Sequence, residues 1–281
     1  MKKGTSIWVF PGDCPLETCF DAASKAGFDG VELALGSNGI TEDTTEAQLD
    51  EVKALAKKYG IELYSIACGL FFDIAHSAND AEVRAHAERL VKKEIDIAAY
   101  LGCDTVLVVP GAVSCPWNPA IEVVPYDVVY ERALAAMKKL APYAESKKVA
   151  IGVENVWNRF LLSPMEMRDF IDKVGSPYVG SYFDAGNVLF AGYPDHWVKI
   201  LGNRIKKVHV KDFKVEVGNL GGFVALNDGD LDFQKLMVSL KEIGYDGWVT
   251  AEVAPMDEDV YVSLQKISAE MDKFLKYVIV Q

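Results

Sequence analysis

The sequence predicts an α/β fold, a closed (β/α)8 barrel formed as one domain over residues 1–281. Three observations predict it. Short apolar runs alternate with amphipathic, helix-periodic segments along the whole chain, and strict alternation of this kind gives a parallel sheet. Eight such units fit into 281 residues, about the length a barrel of this type needs. The turn after the first run, Pro11-Gly12-Asp13-Cys14, also lacks the Gly-rich phosphate fingerprint usual at that point in an open dinucleotide-binding sheet.

Residues 5–9 are the first apolar run, broken by Phe10-Pro11-Gly12-Asp13. A helix is expected over 15–26, ending at Gly27, and a second strand over 30–34. Residues 45–59 carry Leu49, Val52, Leu55 and Ala56 on one helical face, and Gly60 stops that helix. A third strand over 61–67 leads through a long loop to a helix over 81–100, and a fourth strand over 104–109 ends at Pro110-Gly111. Residues 112–125, with three prolines and Trp117, read as loop. The helix expected over 126–147 contains Pro142, which should kink or shorten it. Four more strands follow, in the stretches IGVE, YVGSYFD, RIKKVHV and GWVTAE, with helices expected over 164–174, about 196–202, 232–243 and 260–277. No linker or low-complexity segment interrupts them.

Composition restricts the partners. Half the residues are hydrophobic and a quarter charged, as in ordinary globular domains, and the net charge is -12. Such a charge disfavours nucleic acid or an anionic membrane, which need a basic footprint. The start, MKKGTSIWVFPGDCP, is too short and too soon interrupted for a signal peptide. Five cysteines, an odd count without repeating spacing, read as reduced thiols. A cytoplasmic protein is therefore expected.

The last four strands share a pattern that makes chemistry. Each ends on or carries a metal-ligand residue type: Glu154, Asp184, His209 and Glu252. An acid at the end of an apolar run is expensive to bury unless a cation or hydrogen-bonding partner meets it. In a (β/α)8 barrel the C-terminal strand ends form the active face, so the four would share one rim. Three carboxylates and one imidazole suit Mn²⁺ best, with Mg²⁺ or Co²⁺ as alternatives, over a thiolate-seeking ion. A divalent ion chelating a carbonyl and its neighbouring hydroxyl would acidify the adjacent C–H by stabilising the enediolate oxygen. Two carboxylates on opposite sides of that carbon would act as base and acid. Each acid taken alone is more often structural, and His209 alone is more often a satisfied core histidine; their succession favours the functional reading.

GVEN, YFDAGN, VHVKDF and TAEV resemble the metal-site strands of the sugar phosphate isomerase/epimerase family with the xylose-isomerase-like barrel, and the likeness extends over nearly the whole chain. That group includes ketose 3-epimerases, L-ribulose-5-phosphate 3-epimerase-like proteins and inosose dehydratase. The resemblance implies Glu154, Asp184, His209 and Glu252 as metal ligands, with Glu154 and Glu252 as the catalytic pair. It implies an epimerase or isomerase of a ketose or ketose phosphate, forming a homo-oligomer. The alternative is a lyase or dehydratase on a keto-sugar or keto-inositol, because proton abstraction beside a carbonyl is shared. Two departures bear on the sugar: Asn187 stands where free-ketose epimerases commonly have His, and Lys211, Asp212 and Lys214 stand where an Arg is expected. Asn187, Lys211, Trp8, Trp157 and His76 are candidate substrate contacts, although aromatics at strand ends are as often core. The glycines of 218–222 suit a phosphate cradle or a lid. A nuclease on the same barrel would need a His-rich zinc site and a basic groove; four histidines and a charge of -12 oppose it. A barrel that has lost catalysis would not need four intact ligands.

Overall fold

The computed structural model describes residues 1–278, and in it eight parallel strands close into a barrel. These are β1 (Lys2–Ser6), β2 (Gly30–Leu35), β3 (Glu62–Cys68), β4 (Thr105–Val108), β5 (Ala150–Glu154), β6 (Val179–Asp184) and β7 (Ile205–Val210), completed by a last strand after a short excursion. The excursion is an antiparallel pair, β8 (Asp212–Phe213) and β9 (Phe223–Val224). The closing strand, β10 (Trp248–Ala251), pairs with β7 on one side and β1 on the other. Closure leaves no unpaired barrel edge.

Helices α1 (Leu16–Lys25), α2 (Glu46–Tyr59), α3 (Ala81–Leu101), α4 (Tyr126–Lys147) and α5 (Pro164–Val174) follow the first five strands. A single turn, α6 (Ala185–Val188), precedes α7 (Pro194–Leu201) after β6. Helices α8 (Phe233–Glu242) and α9 (Val260–Leu275) complete the ring. Local chemistry sets several boundaries. Thr45 and Gln48 form a reciprocal capping box at the start of α2. Gly60 and Gly102, with φ of 66° and 84°, end α2 and α3 in the left-handed conformation that glycine adopts without strain. Among the described residues no helix is long and apolar enough to cross a membrane.

Two expectations are corrected. The first strand is Lys2–Ser6, and residues 7–9 form a 3-10 turn capped by the Ser6 hydroxyl. Pro142 does not shorten α4, which runs on to Lys147. The single backbone bond that proline removes is offset by burial of Leu140, Ala141 and Ala144 around it.

The barrel interior is partly polar. Successive strand residues face opposite sides, so i and i+2 share a face. On β6 this aligns Tyr182 below Asp184, and Tyr182 donates to Glu32 of β2. Gly152, two residues before Glu154 on β5, leaves room for the Tyr182 ring: a Cβ there would sit 2.8 Å from Tyr182 Cδ2. Glu32 also accepts from Ser65 at 2.8 Å, and lower in the barrel Tyr64 pairs with Thr250 at 2.8 Å. This hydrogen-bonded layer lies beneath the C-terminal rim of the barrel.

Candidate active site

Glu154 ends β5, Asp184 ends β6, His209 is the penultimate residue of β7, and Glu252 follows β10 directly. The backbone fixes their heights. Asp184 pairs with His209 across β6 and β7, and Glu252 N–H donates to Val210 O at 3.0 Å. One ligand atom from each of the four lies within 4.8 Å of the other three.

His209 is aimed by a residue that the strand-end pattern does not mark. Its Nε2 lies 2.9 Å from Glu32 Oε1, and both side chains are fully buried. This contact places the proton on Nε2 and turns Nδ1 toward the three carboxylates, as a buried acid commonly does for a metal-binding histidine. Nδ1 then lies 3.3 Å from Glu252 Oε2, 3.9 Å from Glu154 Oε1 and 4.0 Å from Asp184 Oδ2. Nδ1 and Asp184 Oδ2 are buried without a hydrogen-bond partner. Buried polar atoms are rarely left so, and two of them converging with two more carboxylates fit a cation.

The electrostatics point the same way. Burial opposes charge on His209, yet Glu32 and Glu252 outweigh it and hold the imidazole well above its ordinary pKa. A field that favours a proton there also favours a metal ion. Lys211 Nζ stands 2.5 Å from Glu252 Oε2 and 3.0 Å from Asp184 Oδ2, the second contact lacking hydrogen-bond geometry. Burial pushes Glu154 up to about 7, against the pull of His209 and with the charge of Glu252. Glu252 is part-buried, and although burial opposes its charge, Lys211 and His209 hold it well below the usual carboxylate range.

Glu154 and Glu252 reach the wall of a cavity of about 650 Å³ at the C-terminal mouth of the barrel, whereas Asp184 and His209 lie fully buried behind them. Trp8, Trp157, Asn187 and Lys211 line the same cavity, as do Phe72 and Trp117, which pack edge to face at 4.6 Å. His76 is not brought there. It is 1% exposed and packs on Phe71 with ring centroids 5.5 Å apart, because its loop turns inward beneath the wall.

Asn155 and Gly186 help hold the rim without having been marked by the sequence, while Asn187, Asp212 and the glycine run were marked and take structural parts there. Asn155 donates from Nδ2 to Asp184 O at 2.8 Å and accepts the Asp184 N–H at 3.0 Å, fastening the ends of β5 and β6. Asn187 donates from Nδ2 to Asn155 O at 3.0 Å, and its N–H donates to Asp184 Oδ1, the cap of α6, at 2.7 Å. Gly186 has no side chain because Lys211 occupies that space: a Cβ would fall 2.3 Å from Lys211 Cγ. Asp212 is buried and accepts N–H groups from Phe213, Gly229 and Leu231, so it builds the loop after β7. The N–H groups of Gly221 and Gly222 are taken by Asn219, so the glycine run is an internally bonded flap and these two amides are not free to cradle phosphate. The signal that would have found Glu32 is an acid in the middle of an otherwise apolar strand.

Residues 20–276 match the family model described as xylose isomerase-like TIM barrel, and the chain belongs to that family. The L-ribulose 3-epimerase of Methylomonas sp. strain DH-1 is 27% identical over 264 residues, covering 90% of this chain and 84% of that protein. The inosose dehydratase of Geobacillus thermodenitrificans is 24% identical over 267 residues, covering 86% and 83%. A solved L-ribulose 3-epimerase structure superposes with a TM-score of 0.82 at 18% identity, covering 99% of this chain and 95% of that one, which supports the fold. With this family and an intact acid-and-histidine cluster at the catalytic face, the protein is an enzyme.

Proposed function

We propose that this enzyme is a divalent-metal-dependent epimerase or isomerase of a ketose or ketose phosphate, with Glu154, Asp184, His209 and Glu252 as ligands and Mn²⁺ as the preferred ion. The observation that carries the reading is the division of the four ligands. Two carboxylates, Glu154 and Glu252, reach the cavity, while Asp184 and His209 are sealed behind them. A divalent cation held there supplies Lewis acidity to an adjacent carbonyl and hydroxyl, which makes the neighbouring C–H removable near neutral pH.

The chain's own groups do the rest. One of Glu154 and Glu252 takes the proton from one face of the carbon, and the other returns a proton to the opposite face. Lys211 holds Glu252 ionised and turned toward the cluster. Asn187, fixed by its bond to Asn155 O, presents its amide edge to a sugar hydroxyl, and Trp8 and Trp157 wall the ring. We place the enzyme in the cytoplasm as a homo-oligomer acting on a small sugar. Similarity to both an epimerase and an inosose dehydratase supports the shared first step; elimination after that step is the second reading.

The test is deuterium uptake in D₂O, followed by NMR, with metal-stripped enzyme and then with Mn²⁺ or Mg²⁺ restored, over ketoses, ketose phosphates and keto-inositols. Metal-dependent exchange beside the carbonyl is expected. A new epimer or aldose identifies an isomerase, and loss of water a dehydratase. Glu154→Gln and Glu252→Gln should each lower turnover by about 10²–10⁴-fold, the usual contribution of a positioned acid or base. Near-wild-type rates in both variants would remove the pair from the reaction.

A further inference from the structure

A second cavity, of about 700 Å³, lies against the reaction cavity and shares Val156, Trp157, Asn187 and Leu220 with it as a common wall. Its chemistry differs. Phe160, Leu161, Leu162, Val188, Phe190 and Trp197 give it an apolar lining, and Arg159 is its single charged residue. Arg159 is exposed and makes no ion pair or hydrogen bond among the described residues. Leu162 and Phe190 are 62% and 52% exposed at the mouth, an unfavourable display of apolar surface unless something covers it.

The loop that carries these groups is held in a costly conformation. Arg159 and Leu161 have φ of 60° and 53°, in the left-handed region that side chains disfavour. Several bonds enforce it. Asn158 accepts the Phe160 N–H at 3.0 Å and donates to Gly111 O at 2.7 Å. Tyr126 Oη accepts the Leu161 N–H, and Glu166 accepts the Leu162 N–H at 2.9 Å. Strain kept by several independent bonds is characteristic of ligand-holding segments.

We propose that this second cavity is the binding site for a flat apolar substituent bearing one anionic group, carried by the sugar whose reacting carbon lies in the first cavity. The inference rests on the sugar-converting reading above and narrows its substrate to a sugar conjugate. Three features point to that occupant. The cavity adjoins the reaction site across Trp157 and Asn187, which line both; its lining suits an aromatic ring better than a phosphate or a second sugar; and its one unpaired guanidinium meets a single negative charge.

The first test uses 8-anilinonaphthalene-1-sulfonate, an apolar ring system with one sulfonate, titrated by fluorescence into the full-length enzyme. Saturable one-to-one binding is expected. Ala191→Trp, which fills the cavity from an exposed position, should weaken it at least tenfold. Arg159→Glu should weaken it several-fold, and Arg159→Lys should restore most of the affinity. Equal affinity in wild type, Ala191→Trp and Arg159→Glu overturns the proposal. A change of oligomeric mass in Ala191→Trp by sedimentation also overturns it, because the cavity would then be a contact between copies. Glu154→Gln should bind the dye as the wild type does. Dye binding that persists while no sugar exchanges deuterium would therefore defeat the catalytic reading and leave the cavity assignment standing. The second test compares KM for a free ketose and for the same ketose bearing a carboxyphenyl group. The wild type should favour the conjugate at least tenfold, and Ala191→Trp should erase the ratio; a ratio near one in the wild type sinks the substrate assignment.

Discussion

Glu32 on β2 and Glu94 on α3 are both 0% exposed, yet their surroundings are opposite. Glu32 sits inside the barrel, where Ser65, Tyr182 and His209 converge on its two oxygens. Glu94 sits between α3 and the outside of the barrel, and neither of its oxygens has a hydrogen-bond partner among the described residues. Burial pushes the Glu94 carboxyl well above its ordinary pKa, with the charge of Glu32 adding to the effect. Burial alone therefore does not mark a functional acid. What distinguishes Glu32 is that its partners are themselves committed: it fixes the imidazole that faces the carboxylate cluster, while neither oxygen of Glu94 has a hydrogen-bond partner among the described residues.

The comparison is sharpened most by removing Glu32. Glu32→Ala would leave the Tyr182 and Ser65 hydroxyls and His209 Nε2 without their acceptor. Breaking one member of a buried polar network costs about 3–5 kcal/mol, and loss of a group that orients a metal-binding histidine lowers metal affinity about 10–100-fold. Both are measurable, by denaturant unfolding and by metal titration. Metal affinity unchanged in Glu32→Gln and in Glu32→Ala would show that His209 needs no orientation from β2.

His76 supplies a second buried group with no catalytic contact, and its effect is one of pH. Burial lowers its pKa to about 4, so it is neutral in the folded state. The unfolded chain binds its proton below about 6.5. Stability from this residue is thus complete above about pH 6.5, falls as pH drops toward 4, and is lost below it, a change of about 3 kcal/mol. His76→Gln should flatten that acid limb in unfolding curves recorded between those pH values. An unchanged slope would mean that His76 titrates normally.

Glu94 gives the smallest effect and the opposite sign. Its folded pKa is raised, so the unfolded chain releases a proton that the folded chain retains, and stability declines as pH rises above the ordinary carboxylate range. Glu94→Met should raise stability at neutral pH by about 1–3 kcal/mol, the cost of an unsatisfied buried polar group, and leave metal content alone. Loss of metal in Glu94→Met would make the two buried acids equivalent and remove the contrast.

Much of the candidate site was legible before any coordinates. Glu154, Asp184, His209 and Glu252 were marked by position, since each lies at the end of an apolar run where an unpaired acid or imidazole is costly. Trp8, Trp157, Asn187 and Lys211, marked by their places at strand ends and rim loops, do line the cavity. His76 was the exception: a histidine in a rim loop looks available, but its loop folds inward onto Phe71. Glu32 was passed over because GVELAL reads as one more strand, and nothing local says which face of the strand its acid occupies or what waits there.

The sequence by itself determined the eight alternating units, their helix caps and the succession of four ligand residue types. Those signals are local: periodicity, turn residues and the penalty for an acid in an apolar run act within about a dozen neighbours. Only the tertiary structure decided that β2, far from the ligand strands in sequence, aims His209 through Glu32. It also decided that Lys211 folds over Gly186 onto Glu252, and that the strained loop at Arg159 opens a second cavity beside the first. These are contacts between segments distant in the chain, fixed when the closing barrel brings their strands and loops together, and no spacing along the sequence encodes them.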